Sequence, residues 1–112
     1  MKLTLPYPPS ANRYWRNYRG MTVTSSEALA YKKEVGYMAR EAGCEPLHGF
    51  VAVTVAIFRP QRSGDLDNRL KCLLDSLNGI AWSDDGQIVE IHAYRHDDKK
   101  NPRVEIEINP AT

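Results

Sequence analysis

The sequence predicts an α+β fold in which one mixed four-stranded sheet is covered by two helices, with the element order β-α-β-α-β-β. The chain has 112 residues, which is enough for one hydrophobic core but not for two. Two segments repeat apolar residues at helical spacing, and four others follow strand patterns. Hydrophobic residues make up 42% and charged residues 26%, an ordinary globular composition. We therefore expect a single domain over residues 1–112.

The N-terminal region is predicted to contain one strand and one long loop. In residues 2–7, Leu3 and Leu5 alternate with other residues until two prolines end the pattern, as in an edge strand. Residues 8–24 show no regular periodicity and are rich in arginine, asparagine and aromatic residues. A loop of this length is usually functional or disordered, and its aromatic content favours a function.

The first helix is predicted over residues 25–42. Thr24 and Glu27 form the T-x-x-E pattern of a capping box, and Gly43 follows the last helical residue. The apolar residues that share one face of this helix are Ala28, Tyr31, Val35, Met38, Ala39 and Ala42. This face is expected to pack on the sheet.

The remaining elements follow from apolar patterning. Residues 50–58 are almost all apolar and rich in β-branched types, which predicts a central strand covered on both faces. Five leucines at helical spacing predict the second helix over residues 66–78. Alternating apolar residues predict two last strands around residues 89–93 and 104–108, joined as a hairpin at residues 97–102.

Composition also bears on the cellular compartment. No apolar run approaches the roughly 20 residues that cross a membrane, and prolines interrupt the N-terminal segment before a signal-peptide core can form. The two cysteines are too few and too irregularly spaced for a disulfide framework or a zinc site. We expect a soluble cytoplasmic protein with reduced thiols and no membrane partner.

Three aspartates suggest a site for a hard cation. Asp65 and Asp67 lie two residues apart where the central strand leads into the second helix, and in extended backbone such a pair projects to one side. Asp85 would join them if its strand pairs beside the central one and brings the turn to the same sheet edge. Carboxylates of this kind hold Mg²⁺ or Mn²⁺. The alternative is that these residues are a helix cap and an ordinary D-D-G turn.

Lys71 allows two interpretations. On a helical wheel it shares one flank with Asp67, Asp75 and Asn78. In the first interpretation these residues form an i, i+4 ladder of salt bridges, which would stabilise the helix by about a few tenths of a kcal/mol. In the other interpretation its ammonium group faces the metal pocket. There it would bind a phosphate, stabilise the developing charge or orient the attacking water.

Three segments resemble one known family. LPYPPSANRYWR, RSGDLDNRLKCLLDSL and GIAWSDDGQIVE are similar in order and spacing to the RusA family of Holliday-junction resolvases, which are phage- and prophage-associated endodeoxyribonucleases. The resemblance implies a homodimer that uses Mg²⁺ or Mn²⁺ to cut paired strands of a four-way DNA junction symmetrically. By motif position, it implies that Asp65, Asp67 and Asp85 are the essential metal-binding acids and Lys71 is the family's lysine.

The long loop is predicted to supply DNA contacts, with guanidinium groups for phosphates and flat rings that stack on unpaired bases. The predicted DNA-binding residues are Arg13, Arg16, Arg19, Tyr14 and Trp15, together with Arg62 and Arg69. A self-packed loop or a dimer contact would use the same aromatic residues. Lys32, Lys33 and Arg40 are interpreted as a solvated helix face.

The sequence contains no P-loop, zinc-hydrolase or serine-hydrolase motif, and we expect no organic cofactor. The main hypothesis is a Mg²⁺-dependent crossover junction endodeoxyribonuclease that serves DNA recombination and repair. One alternative is a nuclease for other branched or single-stranded nucleic acids. Another is a nucleic-acid-binding module without catalysis. Two symmetric cuts require two sites, so the first hypothesis also predicts a two-fold homodimer.

Overall fold

A computed structural model describes residues 1–9, 15–18, 21–24, 26–60 and 66–111. For residues 15–18, 21–24, 67 and 68 it describes the backbone and not the side chains. Within the described residues no helix is both long and apolar enough to cross a membrane.

The order of helices and main-sheet strands agrees with the predicted β-α-β-α-β-β arrangement. The elements are β1 (Lys2–Leu5), β2 (Trp15–Tyr18), β3 (Met21–Thr24), α1 (Ser26–Glu41), β4 (Val51–Arg59), α2 (Leu66–Leu77), a 3-10 turn (Asp85–Gln87), β5 (Ile88–Asp97) and β6 (Arg103–Pro110). Thr24, predicted as a helix cap, is the last residue of β3, and residue 25 lies outside the described residues.

The main sheet is mixed and has the strand order β1-β6-β4-β5. Strand β4 is parallel to β5 and antiparallel to β6, and β1 runs antiparallel to β6. The predicted mixed four-stranded sheet is therefore confirmed. Because β4 and β5 are parallel, the turn before β5 lies at the end of the sheet where β4 begins, which is also the end that α2 reaches as it returns.

The predicted hairpin between the last two strands is wrong, because β4 lies between β5 and β6. The connection crosses the end of β4, where the Asp98 amide donates to the Arg59 carbonyl at 2.7 Å. Two strand spacings amount to about 10 Å, a distance that a five-residue connection spans. The most apolar strand takes the central position because neighbours then shield both of its edges.

The segment predicted as a structureless loop contains a two-stranded antiparallel sheet. Strand β2 pairs with β3, with Trp15 opposite Thr24 and Tyr18 opposite Met21. Residues 10–14 and 19–20 lie outside the described residues. The β-branched residues of β3, Thr22, Val23 and Thr24, are the sequence signal for this hairpin.

The core lies between the two helices and one face of the sheet. Along β4, Val53 and Val55 are fully buried, whereas Thr54 between them is exposed. The expectation that both faces of this strand are covered is therefore wrong: its alternation is that of a strand with helices on one side only. The predicted leucine stripe of α2 is confirmed, since Leu73 and Leu77 are fully buried.

Candidate active site

Asp85 is held in a fixed orientation by a buried tryptophan. Trp82 is fully buried, and its Nε1–H donates a hydrogen bond of 2.9 Å to Oδ1 of the Asp85 carboxylate. Asp85 itself is exposed at the start of the 3-10 turn that leads into β5. Such a bond from a rigid indole fixes the carboxylate, and a carboxylate has further lone pairs with which it can bind a ligand.

Gln87 anchors the same turn to the rest of the molecule. Its Oε1 accepts hydrogen bonds from the Ser83 and Asp84 amides, both at 2.8 Å. Its Nε2 donates to the carbonyls of Leu47 at 2.8 Å and Gly49 at 2.7 Å. The turn is thereby tied to the segment between α1 and β4. Sequence analysis missed Gln87, because its partners are about 40 residues away along the chain.

A glycine allows the chain reversal that leads from α2 to Trp82. The chain leaves α2 through Gly79, whose φ is 82°, a left-handed conformation that other residues adopt only with strain. The Gly79 amide then donates to the Trp82 carbonyl at 2.8 Å, and the Ala81 amide donates to the Leu77 carbonyl at 2.9 Å. This compact reversal brings the tryptophan back against the end of α2.

Three charged side chains, one each from α1, α2 and the turn, influence the pKa of Asp75. Asp75 is partly buried on α2, and its pKa is raised first by burial and next by the negative charge of Asp85. The positive charges of Lys71 and Lys32 act on the same pKa in the opposite direction. The group therefore draws residues from both helices and from the turn. We call these four residues the charge cluster.

Lys71 is exposed, and at Asp75 it does not form the predicted helical ladder. Among the described residues, no ion pair joins Lys71 to Asp75, although the two lie one helical turn apart. The ladder interpretation thus has no support at this pair. The Lys71 ammonium group remains close enough to Asp75 to affect its pKa, and it is accessible to a ligand.

Lys32 was interpreted as part of a solvated face, and it is indeed exposed. Its influence on Asp75 nevertheless places it within the charge cluster. The packing of α1 on α2 accounts for this position: Tyr31, the preceding residue, is buried, and its pKa is raised by burial and by the neighbouring Cys72 of α2. The sequence held no local signal for this contact, because it depends on how two helices pack.

The other predicted metal ligands can be placed only in part. Asp65 lies outside the described residues, and Asp67 is in the first turn of α2 with its side chain not described. Because Asp67 is helical, the argument from extended backbone does not apply to it. Among the described residues, no group of three or more histidine, cysteine, aspartate or glutamate side chains is arranged to hold a metal ion. The three-aspartate site stays a prediction.

The predicted DNA contacts are also described only in part. Arg13, Tyr14, Arg19 and Arg62 lie outside the described residues, and Trp15 and Arg16 belong to strand β2. Arg69 is described, and it faces the N-terminal segment. Its Nη1 donates to the Pro8 carbonyl at 2.9 Å, and its Cζ atom lies 4.9 Å from the centre of the Tyr7 ring. A contact between Arg69 and DNA stays a prediction.

The donor chemistry of the cluster suits a hard divalent cation. Asp85 presents an oriented carboxylate, and Asp75 adds a second acid whose raised pKa reflects burial and the proximity of Asp85. A cation between such carboxylates would relieve their repulsion. Mg²⁺ commonly binds proteins through one or two carboxylates and several waters. Neither histidine nor cysteine is required.

The comparisons with known proteins agree with the sequence motifs. The family described as Endodeoxyribonuclease RusA matches residues 6–109. The chain is 36% identical to the crossover junction endodeoxyribonuclease RusA of Escherichia coli K12, over 95% of this chain and 91% of that protein. It has the same identity and coverage with the Shigella sonnei protein of that name. The protein of that name from Enterobacteria phage 82 is 35% identical, again over 95% and 91%. The chain therefore belongs to the RusA family of endodeoxyribonucleases.

Proposed function

We propose that this protein is a divalent-metal-dependent endonuclease that cuts four-way DNA junctions by paired, symmetric phosphodiester hydrolysis. The relatives, which match this chain over 91% of their own length, carry the name crossover junction endodeoxyribonuclease RusA. The observation that supports catalysis by this chain is the carboxylate of Asp85, which Trp82 orients and whose charge raises the pKa of Asp75. A cytoplasmic role in DNA recombination and repair belongs to the same proposal.

In this proposal Asp65, Asp67 and Asp85 hold Mg²⁺ or Mn²⁺. The bound cation would supply a Lewis acid for the scissile phosphate and lower the pKa of the attacking water. Trp82 keeps the Asp85 carboxylate in one orientation, so little reorganisation is needed when ligands bind. No side chain of the protein needs to act as a nucleophile.

Lys71 is proposed to contact the scissile phosphate. Its ammonium is exposed, and no described side chain pairs with it. Charge on the phosphoryl oxygens grows during hydrolysis, and a fixed positive charge beside them stabilises the transition state. Lys32 adds a second positive charge from α1, in a position to attract the DNA backbone.

Further DNA contacts are proposed for Trp15 and Arg16, which belong to the arm formed by β2 and β3, and for Arg13, Tyr14, Arg19 and Arg62. A homodimer would supply the second active site that symmetric cutting needs. Phe50 and Tyr37, with relative exposures of 58% and 66%, are consistent with a protein that buries more apolar surface on association.

The proposal is tested with synthetic four-way junctions, flaps, single strands and linear duplexes, each incubated with and without Mg²⁺. We expect paired cuts in the junction only when Mg²⁺ is present and much slower cutting of the linear duplex. The Asp85→Asn variant serves as the catalytic control. Preferred cutting of flaps or single strands would identify a different nuclease. Junction binding without cleavage, and without any interaction with Mg²⁺ or Mn²⁺, would identify a binding module.

Sedimentation tests the dimer. We expect a dimer at micromolar concentration, and mixed dimers with one Asp67→Asn subunit should nick junctions but rarely resolve them. A monomer that resolves junctions fully would contradict this part of the proposal.

A further inference from the structure

Arg69 occupies a position where the packing of α2 would favour an apolar residue. It lies between Leu66 and Leu73, at the spacing of the leucine stripe, and its side chain is partly buried. The guanidinium binds the Pro8 carbonyl and lies over the Tyr7 ring. Its Nε atom is buried without a hydrogen-bond partner among the described residues.

A buried N–H group without a partner is costly, and more so on a charged group. A leucine or methionine would fill the same place without that cost, so packing alone does not account for the arginine. What the arginine adds is a connection between α2 and the segment that follows β1. An apolar side chain cannot make the bond to the Pro8 carbonyl.

The same segment is held from the other helix as well. The hydroxyl of Tyr31 on α1 donates to the Pro6 carbonyl at 2.8 Å. Both helices therefore bind the backbone between β1 and the β2–β3 arm, at alternate carbonyls. The arm begins shortly after this segment, whereas α2 carries Asp67, Lys71 and Asp75.

We propose that Arg69 is a positioning residue that ties residues 6–8, which we call the base of the arm, to α2, and that it is not a phosphate ligand. The inference rests on the proposed function, because the arm is the predicted DNA contact there. With the base of the arm fixed to α2, DNA held by the arm is presented to the charge cluster in one register. Loss of this connection should affect where and how tightly DNA is held, while the acids themselves stay unchanged.

Salt dependence of junction binding separates the two roles of Arg69. Loss of one phosphate contact lowers the slope of log affinity against log salt by about 0.9. We expect Arg69→Met to weaken junction binding roughly 10-fold at every salt concentration, with the slope unchanged. Arg69→Lys keeps the positive charge but loses the flat guanidinium over Tyr7, so we expect it to restore binding only in part. Arg40→Met, on the exposed end of α1, is the matched control and should behave as the wild type.

A second measurement requires neither DNA nor turnover. Spin labels at Asn17→Cys on β2 and Glu34→Cys on α1, with Cys44 and Cys72 replaced by alanine, report the distance between the arm and the helices. We expect Arg69→Met to broaden or shift this distribution and Arg40→Met to leave it unchanged. Circular dichroism and thermal melting check that Arg69→Met is folded; if it is not, Arg69→Lys carries the same comparison.

The outcomes are distinct. An unchanged distance distribution in Arg69→Met overturns the inference, as does a salt slope that falls by about one and is restored in Arg69→Lys. If the wild type neither binds nor cuts junctions, the proposed function fails, and the distance measurement still decides whether Arg69 positions the arm.

Discussion

The two ends of the β4–β5 strand pair differ in whether their carboxylates form ion pairs with basic side chains. At the end where both strands finish, Arg59 binds Asp97 at 2.8 Å, and Arg103 binds both Asp98 and Glu105 at 2.9 Å. The pKa of Asp98 is lowered, chiefly by its hydrogen bond from Arg103. Each carboxylate at this end has a cationic partner, and the crossover from β5 to β6 is held by these pairs.

At the other end, where β5 begins, acids lie next to one another. The pKa of Asp75 is raised by burial and by Asp85, and no ion pair among the described residues joins either acid to Lys71 or Lys32. The side-chain partner of Asp85 among the described residues is the neutral indole of Trp82. The fold could place a basic partner here, as it does at the opposite end. Charges left unneutralised at a cost in stability are typical of functional sites.

If the acid end serves catalysis, its largest effect should be seen in Asp85→Asn. We expect the rate of junction cleavage to fall at least about 100-fold, because the amide is a poor ligand for a divalent cation. Junction binding and the melting temperature should be retained, since one negative charge is removed from a repulsive group. Single-turnover cleavage and gel-shift binding measure the two effects. Normal cutting by this variant would remove Asp85 from the site.

Lys71→Ala should give the next largest effect. Loss of a positive charge that acts on the transition state should lower turnover by about two orders of magnitude with little change in melting temperature. Lys33→Ala, on the exposed face of α1, is the matched control and should cut normally. Full activity in Lys71→Ala, with a small loss of stability, would instead favour a purely structural lysine.

Trp82→Phe tests whether the orientation of Asp85 matters. Removal of the indole N–H should reduce cleavage about 10-fold and raise the Mg²⁺ concentration needed, because groups that orient a metal ligand have effects of this size. The smaller ring also leaves a cavity and should lower the free energy of unfolding by about 1–3 kcal/mol. Val55→Ala creates a cavity in the middle of β4, away from the turn, and controls for an effect of lost stability alone. Equal losses of activity in the two variants would contradict an orienting role.

The smallest effects concern stability, and they should have opposite signs at the two ends. Because the pKa of Asp75 is raised in the folded protein, ionisation of this acid lowers the stability of the wild type as the pH rises. Asp75→Asn should therefore raise the melting temperature at pH 7, where Asp75 is ionised, and not at pH 3, where it is protonated. Because the pKa of Asp98 is lowered in the folded protein, its carboxylate stabilises the fold at pH values above the ordinary carboxyl pKa. This stabilisation is lost as the pH falls through the lowered pKa. Asp98→Asn should therefore lower the melting temperature at pH 7. Shifts of the same sign in both variants would refute the comparison.

Local patterns in the sequence predicted the helices well, because leucine spacing on α2 directly reflects which side of a helix is buried. The same reasoning found the turn of Asp85, since a cluster of turn residues is a local signal. It failed for the relation between β5 and β6, because alternation shows that a strand is half-buried but not which strand lies beside it.

The parts of the site that escaped prediction all depend on contacts between distant segments. Gln87 is an ordinary polar residue until its side chain meets the carbonyls of Leu47 and Gly49. In the sequence Lys32 cannot be distinguished from any other exposed helical lysine, because its effect on Asp75 depends on the packing of α1 on α2. Arg69 contacts Pro8 and Tyr7, and its spacing from Leu66 and Leu73 is the only local signal for such an inward-facing side chain.

The pairing of β1 with β6 has a consequence for folding. Lys2 lies opposite Glu107 and Leu5 opposite Val104, so two strands that are far apart in the sequence pair with each other. The helices, β4, β5 and the Asp85 turn come from the middle of the chain and can assemble first, while β1 must wait until β6 has joined β4. Pairings of such sequence separation raise the contact order and slow folding relative to helical proteins of equal length. The Asp85 turn should therefore gain its structure before the sheet is complete.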